Sequence, residues 1–195
     1  MLRFIGFYDY TVILTYMSLF SAVYGIILSS KGSFTGAVLC LMLSGFCDMF
    51  DGMVARSKKN RTNDEKAFGI QLDSLCDVVS FGIFPGVLCY HMGMNGVLGI
   101  VCIFLYSMCA VIRLAFFNVI EGKRQQIEGG CNKTYRGLPV TSISVIFPLV
   151  YGFRFLLSAH TFVILLHVVM ALTAFLFILD FCVKKPDWKK ILTGK

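Results

Sequence analysis

CDMFDGMVARSKKNRTNDEKAFGIQLDSLCDVV, residues 47–79, decides how this chain is to be read. Two apolar runs flank a short basic connector, and each run carries two carboxylates: Asp48 and Asp51 before the connector, Asp73 and Asp77 after it. An Asp near the centre of a bilayer costs about 2.5–3.5 kcal/mol on insertion scales, so four oppose insertion by about 10 kcal/mol unless water, protons or cations compensate. Spacings of three and four residues set each pair on one face of a helix. Two such helices side by side would bring all four acids into one small volume, where like charges need positive charge between them. Hard oxygen ligands suit Mg²⁺, Mn²⁺ or Ca²⁺ rather than zinc or copper. Two divalent ions would balance four carboxylates, and two-metal sites serve phosphoryl chemistry.

The rest of the chain fits a membrane setting. It has 195 residues, 57% hydrophobic and 15% charged, with a mean hydropathy of +0.77; ordinary soluble domains are about 45–50% apolar and 25% charged. Apolar runs of about 20 residues recur, each enough to span a bilayer. The expected fold is an all-α integral membrane protein, one domain over 1–195. Its six transmembrane helices fall near 10–29, 34–55, 68–90, 96–120, 138–157 and 161–183. Residues 1–9 are amphipathic and suit the interface. Pro85-Gly86 is expected to kink the third span, Pro139 to open the fifth and Pro148 to kink it.

Charge orients this arrangement. Fifteen of the eighteen Lys and Arg residues fall on one side; Lys31 and Arg154 fall on the other, and Arg113 lies within a span. That asymmetry is the positive-inside pattern. It places both termini and the acidic helix ends on the cytoplasmic side of the cell membrane, and it turns the net charge of +7 away from nucleic acid as a partner. The eight cysteines form no CxxC pair and read as small hydrophobes. His91, His160 and His167 read as structural. A cation transporter is the competing class, but it would continue acidic groups towards the outer side, where these spans are almost uncharged.

Taken together, the spacing D-x2-D-G-x2-A-R, twelve residues, then G-x3-D-x3-D resembles the CDP-alcohol phosphatidyltransferase motif. Asp48, Asp51, Gly52, Ala55, Arg56, Gly69, Asp73 and Asp77 occupy its fixed positions. The connector between Arg56 and Gly69 is longer than the family's usual one; added loop length is thermodynamically cheap, but it leaves the shape of the site's rim open. LDSLCDVVSFGIFPG (72–86), RLAFFN (113–118) and RGLPVTSISV (136–145) are similar to phosphatidylserine synthases. Span one is similar only loosely: Thr15 stands where the family often has Thr, and Ser18 where it frequently has Asn.

The resemblance implies a substrate, CDP-diacylglycerol, an acceptor, L-serine, and a homodimer in membrane lipid. It implies two divalent cations, Mg²⁺, Mn²⁺ or Ca²⁺, held by Asp48, Asp51, Asp73 and Asp77, with Asp77 as general base. Gly52, Ala55 and Gly69 would let the nucleotide approach closely, although small residues also serve helix packing. Arg56 would contact the nucleotide phosphate or snorkel to the interface. Serine's carboxylate calls for a cation. Arg113 is the first candidate, because an unpaired guanidinium inside an apolar span is costly; an ion pair with Asp180 would explain it as well. Lys133 and Arg136 are alternatives that a solvated or lipid-facing role also explains, and Asn118 would orient the acceptor. Another alcohol, glycerol 3-phosphate or inositol, remains the competing acceptor.

Overall fold

Inside a bilayer the backbone has no water to bond, so apolar runs of this length satisfy their own hydrogen bonds as helices. The computed structural model describes residues 6–8, 10–58, 62–127 and 134–184. A 3₁₀ turn, Tyr10–Val12, leads into α1, Ile13–Ser30. Thr15, Ser18, Ala22, Gly25 and Ser29 recur at helical spacing on its buried face. Side chains this small let α2, Phe34–Ser57, come close. Hydroxyls then join the two helices: Ser18 Oγ and Ser44 Oγ lie 2.8 Å apart, Ser44 Oγ donates to Ser18 O at 2.9 Å, and Ser21 Oγ to Cys40 O at 2.8 Å. The hairpin turns on Gly32, whose φ of +76° allows Ser33 N–H to reach back to Leu28 O at 2.9 Å.

α3, Asn63–Asp77, opens on a capping box. Thr62 Oγ1 accepts from Glu65 N at 3.2 Å, and Glu65 Oε2 accepts from Thr62 N at 3.0 Å. The other Glu65 oxygen lies 3.3 Å from Lys58 Nζ, which ties the end of α2 to the start of α3. Beyond Asp77 the helix widens into a π-helical stretch, Val78–Ile83, before α4, Phe84–His91. The irregularity expected at Pro85 therefore lies on its N-terminal side. Proline has no N–H to offer the carbonyl four residues back. That carbonyl, Phe81 O, accepts instead from the fully buried Tyr106 hydroxyl at 2.6 Å, and Gly82 O accepts from Ser107 Oγ at 2.8 Å.

α5, Val97–Ile127, supplies Tyr106 and Ser107. It runs past the expected end of the fourth span, so the first residues of the expected 121–137 connector are helical. A short strand β1, Thr134–Arg136, follows, then a 3₁₀ turn, Val140–Ser142, capped by Pro139. α6, Ile143–Gly152, continues through Pro148. α7, Ala159–Ile178, ends well before residue 183, the end expected for the sixth span. The chain there leaves the helix to form β2, Cys182–Lys184, which pairs antiparallel with β1.

Among the described residues, five helices are long and apolar enough to cross a membrane; the sixth apolar segment, Val140–Phe155, is shorter. At 1.5 Å per residue it reaches about 24 Å, against a hydrocarbon core of about 30 Å. The core between the helices is aromatic: Phe81, Phe84, Tyr106, Phe147 and Phe177 are fully buried or nearly so. Phe20, Leu98 and Leu156 face outward, as lipid contact requires.

Candidate functional site

All four acids meet. Asp48, Asp73 and Asp77 each offer a carboxylate oxygen, and these oxygens lie within 4.8 Å of one another. Asp51, one turn along α2 from Asp48, is in hydrogen-bonding contact with Asp73 and accepts from Thr15 Oγ1 at 3.2 Å. Asp48 and Asp77 are likewise in contact. Asp51 and Asp77 are buried, each only 9% exposed, so water does little to separate their charges. The periodicity argument explains the meeting: two acids share one face of α2, two share one face of α3, and both faces turn to one cavity.

That cavity measures about 330 Å³. Gly52 and Met49 of α2 and Ile70 of α3 line it beside the acids. Arg113, Leu114, Phe117 and Asn118 of α5 form the facing wall, and residues 139–141 at the entry to α6 close it. The site is therefore bipolar, with four carboxylates at one side and a guanidinium at the other.

Arg113 is held from several directions. Its Nη1 donates to Phe177 O, the last turn of α7, at 3.5 Å. Its Cζ lies 6.0 Å from the Phe117 ring centroid, and Asp180 acts on it electrostatically. Asn118 Oδ1 accepts from Ser74 Oγ at 2.8 Å, which links α5 to α3 between the two α3 acids. Gly69 stands one turn before Asp73 on α3. Ala55 and Arg56 lie on the last turns of α2, but their side chains are outside the described residues. Lys133 is outside them altogether, and Arg136 is known only by its backbone, which pairs with Cys182 in the β1–β2 ladder.

Three polar residues enter the site without having been named for a role in it. They are Thr15, which in sequence carries only a loose family likeness, and Ser74 and Thr141, which lie within the stretches similar to the family. Thr15, Ser18 and Ser21 are buried on α1 as a polar seam, and the packing of α1 on α2 turns the first of them towards Asp51. Ser74 sits between Asp73 and Asp77 in sequence, yet its partner lies 44 residues away.

The donor set fits a hard divalent cation. Every close donor is a carboxylate oxygen, the ligand type that Mg²⁺, Mn²⁺ and Ca²⁺ select. Asp73 Oδ1 is buried with no hydrogen-bond partner among the described residues. A buried oxygen left without a donor costs about 1–3 kcal/mol, and more if charged; a cation among the acids would relieve it.

Comparison with known proteins places the whole arrangement. A family model described as CDP-alcohol phosphatidyltransferase matches residues 10–179. The chain is 33% identical over 159 residues to an archaetidylserine synthase of Methanothermobacter thermautotrophicus, covering 81% of this chain and 65% of that protein. It is 37% identical over 106 residues to a CDP-diacylglycerol–serine O-phosphatidyltransferase of Bacillus subtilis, covering 53% of each. A protein of the same name from Saccharomyces cerevisiae is 29% identical over 163 residues, covering 79% of this chain and 56% of that protein. The matched part is thus about half to two-thirds of each relative's length.

Proposed function

Because this chain belongs to the CDP-alcohol phosphatidyltransferase family, we propose that it transfers the phosphatidyl group of CDP-diacylglycerol to the hydroxyl of L-serine, giving phosphatidylserine and CMP. The observation that carries this reading is the bipolar cavity: acids fit to hold cations for a diphosphate face a guanidinium fit to hold a carboxylate. The serine enzymes among the relatives favour this acceptor over glycerol 3-phosphate or inositol.

Bound at Asp48, Asp51, Asp73 and Asp77, two divalent cations, Mg²⁺ or Mn²⁺, would polarise the diphosphate and offset the charge of the departing CMP. Gly52 and Gly69, with Ala55 and Arg56, form the nucleotide side. Arg113 takes the serine carboxylate, and Asn118, fixed by Ser74, orients the amino acid. Asp77 accepts the hydroxyl proton as the serine oxygen bonds to the phosphatidyl phosphorus and the bond from phosphorus to the CMP oxygen breaks. The proton ends on the Asp77 carboxyl group and no covalent enzyme intermediate forms. Lys133 and Arg136 are the secondary candidates for the serine carboxylate.

We assign six crossings in one membrane domain, both termini and the site facing the cytoplasm. The β1–β2 ladder supports the count. β1 precedes α6 and β2 follows α7, and their pairing keeps the two ends on one side. With α7 long enough to cross, Val140–Phe155 crosses back with it in this reading, and local thinning of the bilayer accommodates its shortness. The active form in this reading is a homodimer.

The test is CMP release by the purified protein in detergent. Release should require CDP-diacylglycerol, serine and Mg²⁺ or Mn²⁺, and stop on chelation. Arg113→Ala should raise the serine KM strongly while CDP-diacylglycerol affinity holds. Equal release with glycerol 3-phosphate or inositol would overturn the acceptor assignment. Exchange of labelled CMP into CDP-diacylglycerol without serine would overturn direct displacement.

A further inference from the structure

The chain beyond α7 reaches back to the cavity's cationic wall. β2 pairs with β1 in the register Thr134↔Lys184, Tyr135↔Val183 and Arg136↔Cys182. One residue further, Gly137 N–H donates to Phe181 O at 2.6 Å, so the ladder runs up to the turn that leads into 139–141. Gly137 is there for two reasons. Its φ of +66° is the left-handed region that a side chain disfavours. A Cβ would also collide with Arg113 Nη1 and lie 2.9 Å from Leu179 O. The guanidinium is thus pressed between Gly137 on one segment and Phe177 O and Asp180 on the other. The first segment runs on into residues 139–141, which line the cavity with Arg113 of α5; the second reaches the cavity through its contacts with Arg113.

We infer that residues 179–184 are a clamp that sets the position of Arg113 and of the 139–141 wall, which makes Gly137 and Asp180 positioning residues for acceptor selection. The inference rests on the reading that Arg113 receives the acceptor's carboxylate. The contacts just described fall on Arg113 and on the turn at Gly137, so the clamp's expected effect is on the acceptor. A guanidinium displaced by the width of a methyl group loses alignment with a carboxylate, and losses from misplacement of about 1 Å run to about 10²-fold.

The experiment compares Gly137→Ala and Asp180→Asn with wild type, using serine and serine methyl ester as acceptors. Thermal stabilisation by CDP-diacylglycerol with Mn²⁺ serves as the folding control. Each variant should raise the serine KM by about tenfold or more, keep the CDP-diacylglycerol KM within about twofold, and lose the preference for serine over its ester. Adding Arg113→Ala to either variant should cost little further, because the three act through one group. Should Gly137→Ala fail the folding control, Asp180→Asn decides alone. If Arg113→Ala abolishes the serine preference while a folded Gly137→Ala and Asp180→Asn retain it, the clamp is wrong and the acceptor site stands. If Arg113→Ala itself leaves the serine KM and the preference unchanged, the acceptor assignment falls and the clamp falls with it.

Discussion

Polar groups are buried between helices in two regions, and the two are built on opposite terms. Around Pro85 two carbonyls of the π-helical stretch have found donors: Tyr106 reaches Phe81 O and Ser107 reaches Gly82 O, and the one polar atom there with no partner among the described residues is a neutral hydroxyl, Ser80 Oγ. The Ser18–Ser44 contact is closed in the same way. Around Asp73 the terms are reversed. Four acids are crowded together, and Asp73 Oδ1 has no donor among the described residues. In an apolar medium an unmet polar atom is costly. A neutral hydroxyl without a partner costs far less than crowded carboxylates, so the first region reads as framework and the second as a place where something from outside completes the chemistry.

Removing an acid should break the comparison most visibly. Asp73→Asn or Asp77→Asn should reduce CMP release by roughly 10³-fold while the metal-free protein melts no lower than wild type, since a like charge has been removed. A large fall in melting temperature would make the acids framework after all. Tyr106→Phe should do the opposite. It should cost about 1–3 kcal/mol of stability, by thermal unfolding in detergent, for the orphaned Phe81 carbonyl, with turnover at low temperature little changed. In a Pro85→Ala background the restored N–H should make that substitution cost less.

Thr15→Val sharpens the boundary between the regions, because Thr15 belongs to the polar seam of α1 yet serves an acid. Loss of its bond to Asp51 should weaken the apparent Mn²⁺ affinity about tenfold, the low end for a group that orients a metal ligand, with melting nearly unchanged. Titration of activity against Mn²⁺ checks it. Ser44→Ala should matter least: about 0.6 kcal/mol, the average for an interhelical hydrogen bond in a membrane, and no change in metal affinity.

The pattern of what could be read from sequence follows the same division. The meeting of the four acids was legible because spacings of three and four residues are local facts about a helix. Arg113 was legible because a cation inside an apolar run calls for a partner. The π-helical stretch was legible only as a proline-linked irregularity, since the donor that stabilises it lies 25 residues away in sequence. The early end of α7 was not legible. The run LFILDFCV (176–183) is apolar almost throughout, and only pairing with Thr134–Arg136 draws its end out of the helix. Pro139 reads from sequence as a helix start, but the place of residues 139–141 in the cavity wall follows from packing between distant segments.

That pairing also imposes an order on how the molecule is made. A ribosome delivers the acids of α2 and α3 before α5, α6 and α7, and they can assemble while those helices are still unmade. The strand after α7 emerges among the last of the described residues, and until it does nothing fixes the turn at Gly137. A nascent protein therefore owns the half of its cavity suited to cations before it owns the other half, and the site becomes whole only once the strand after α7 has been made.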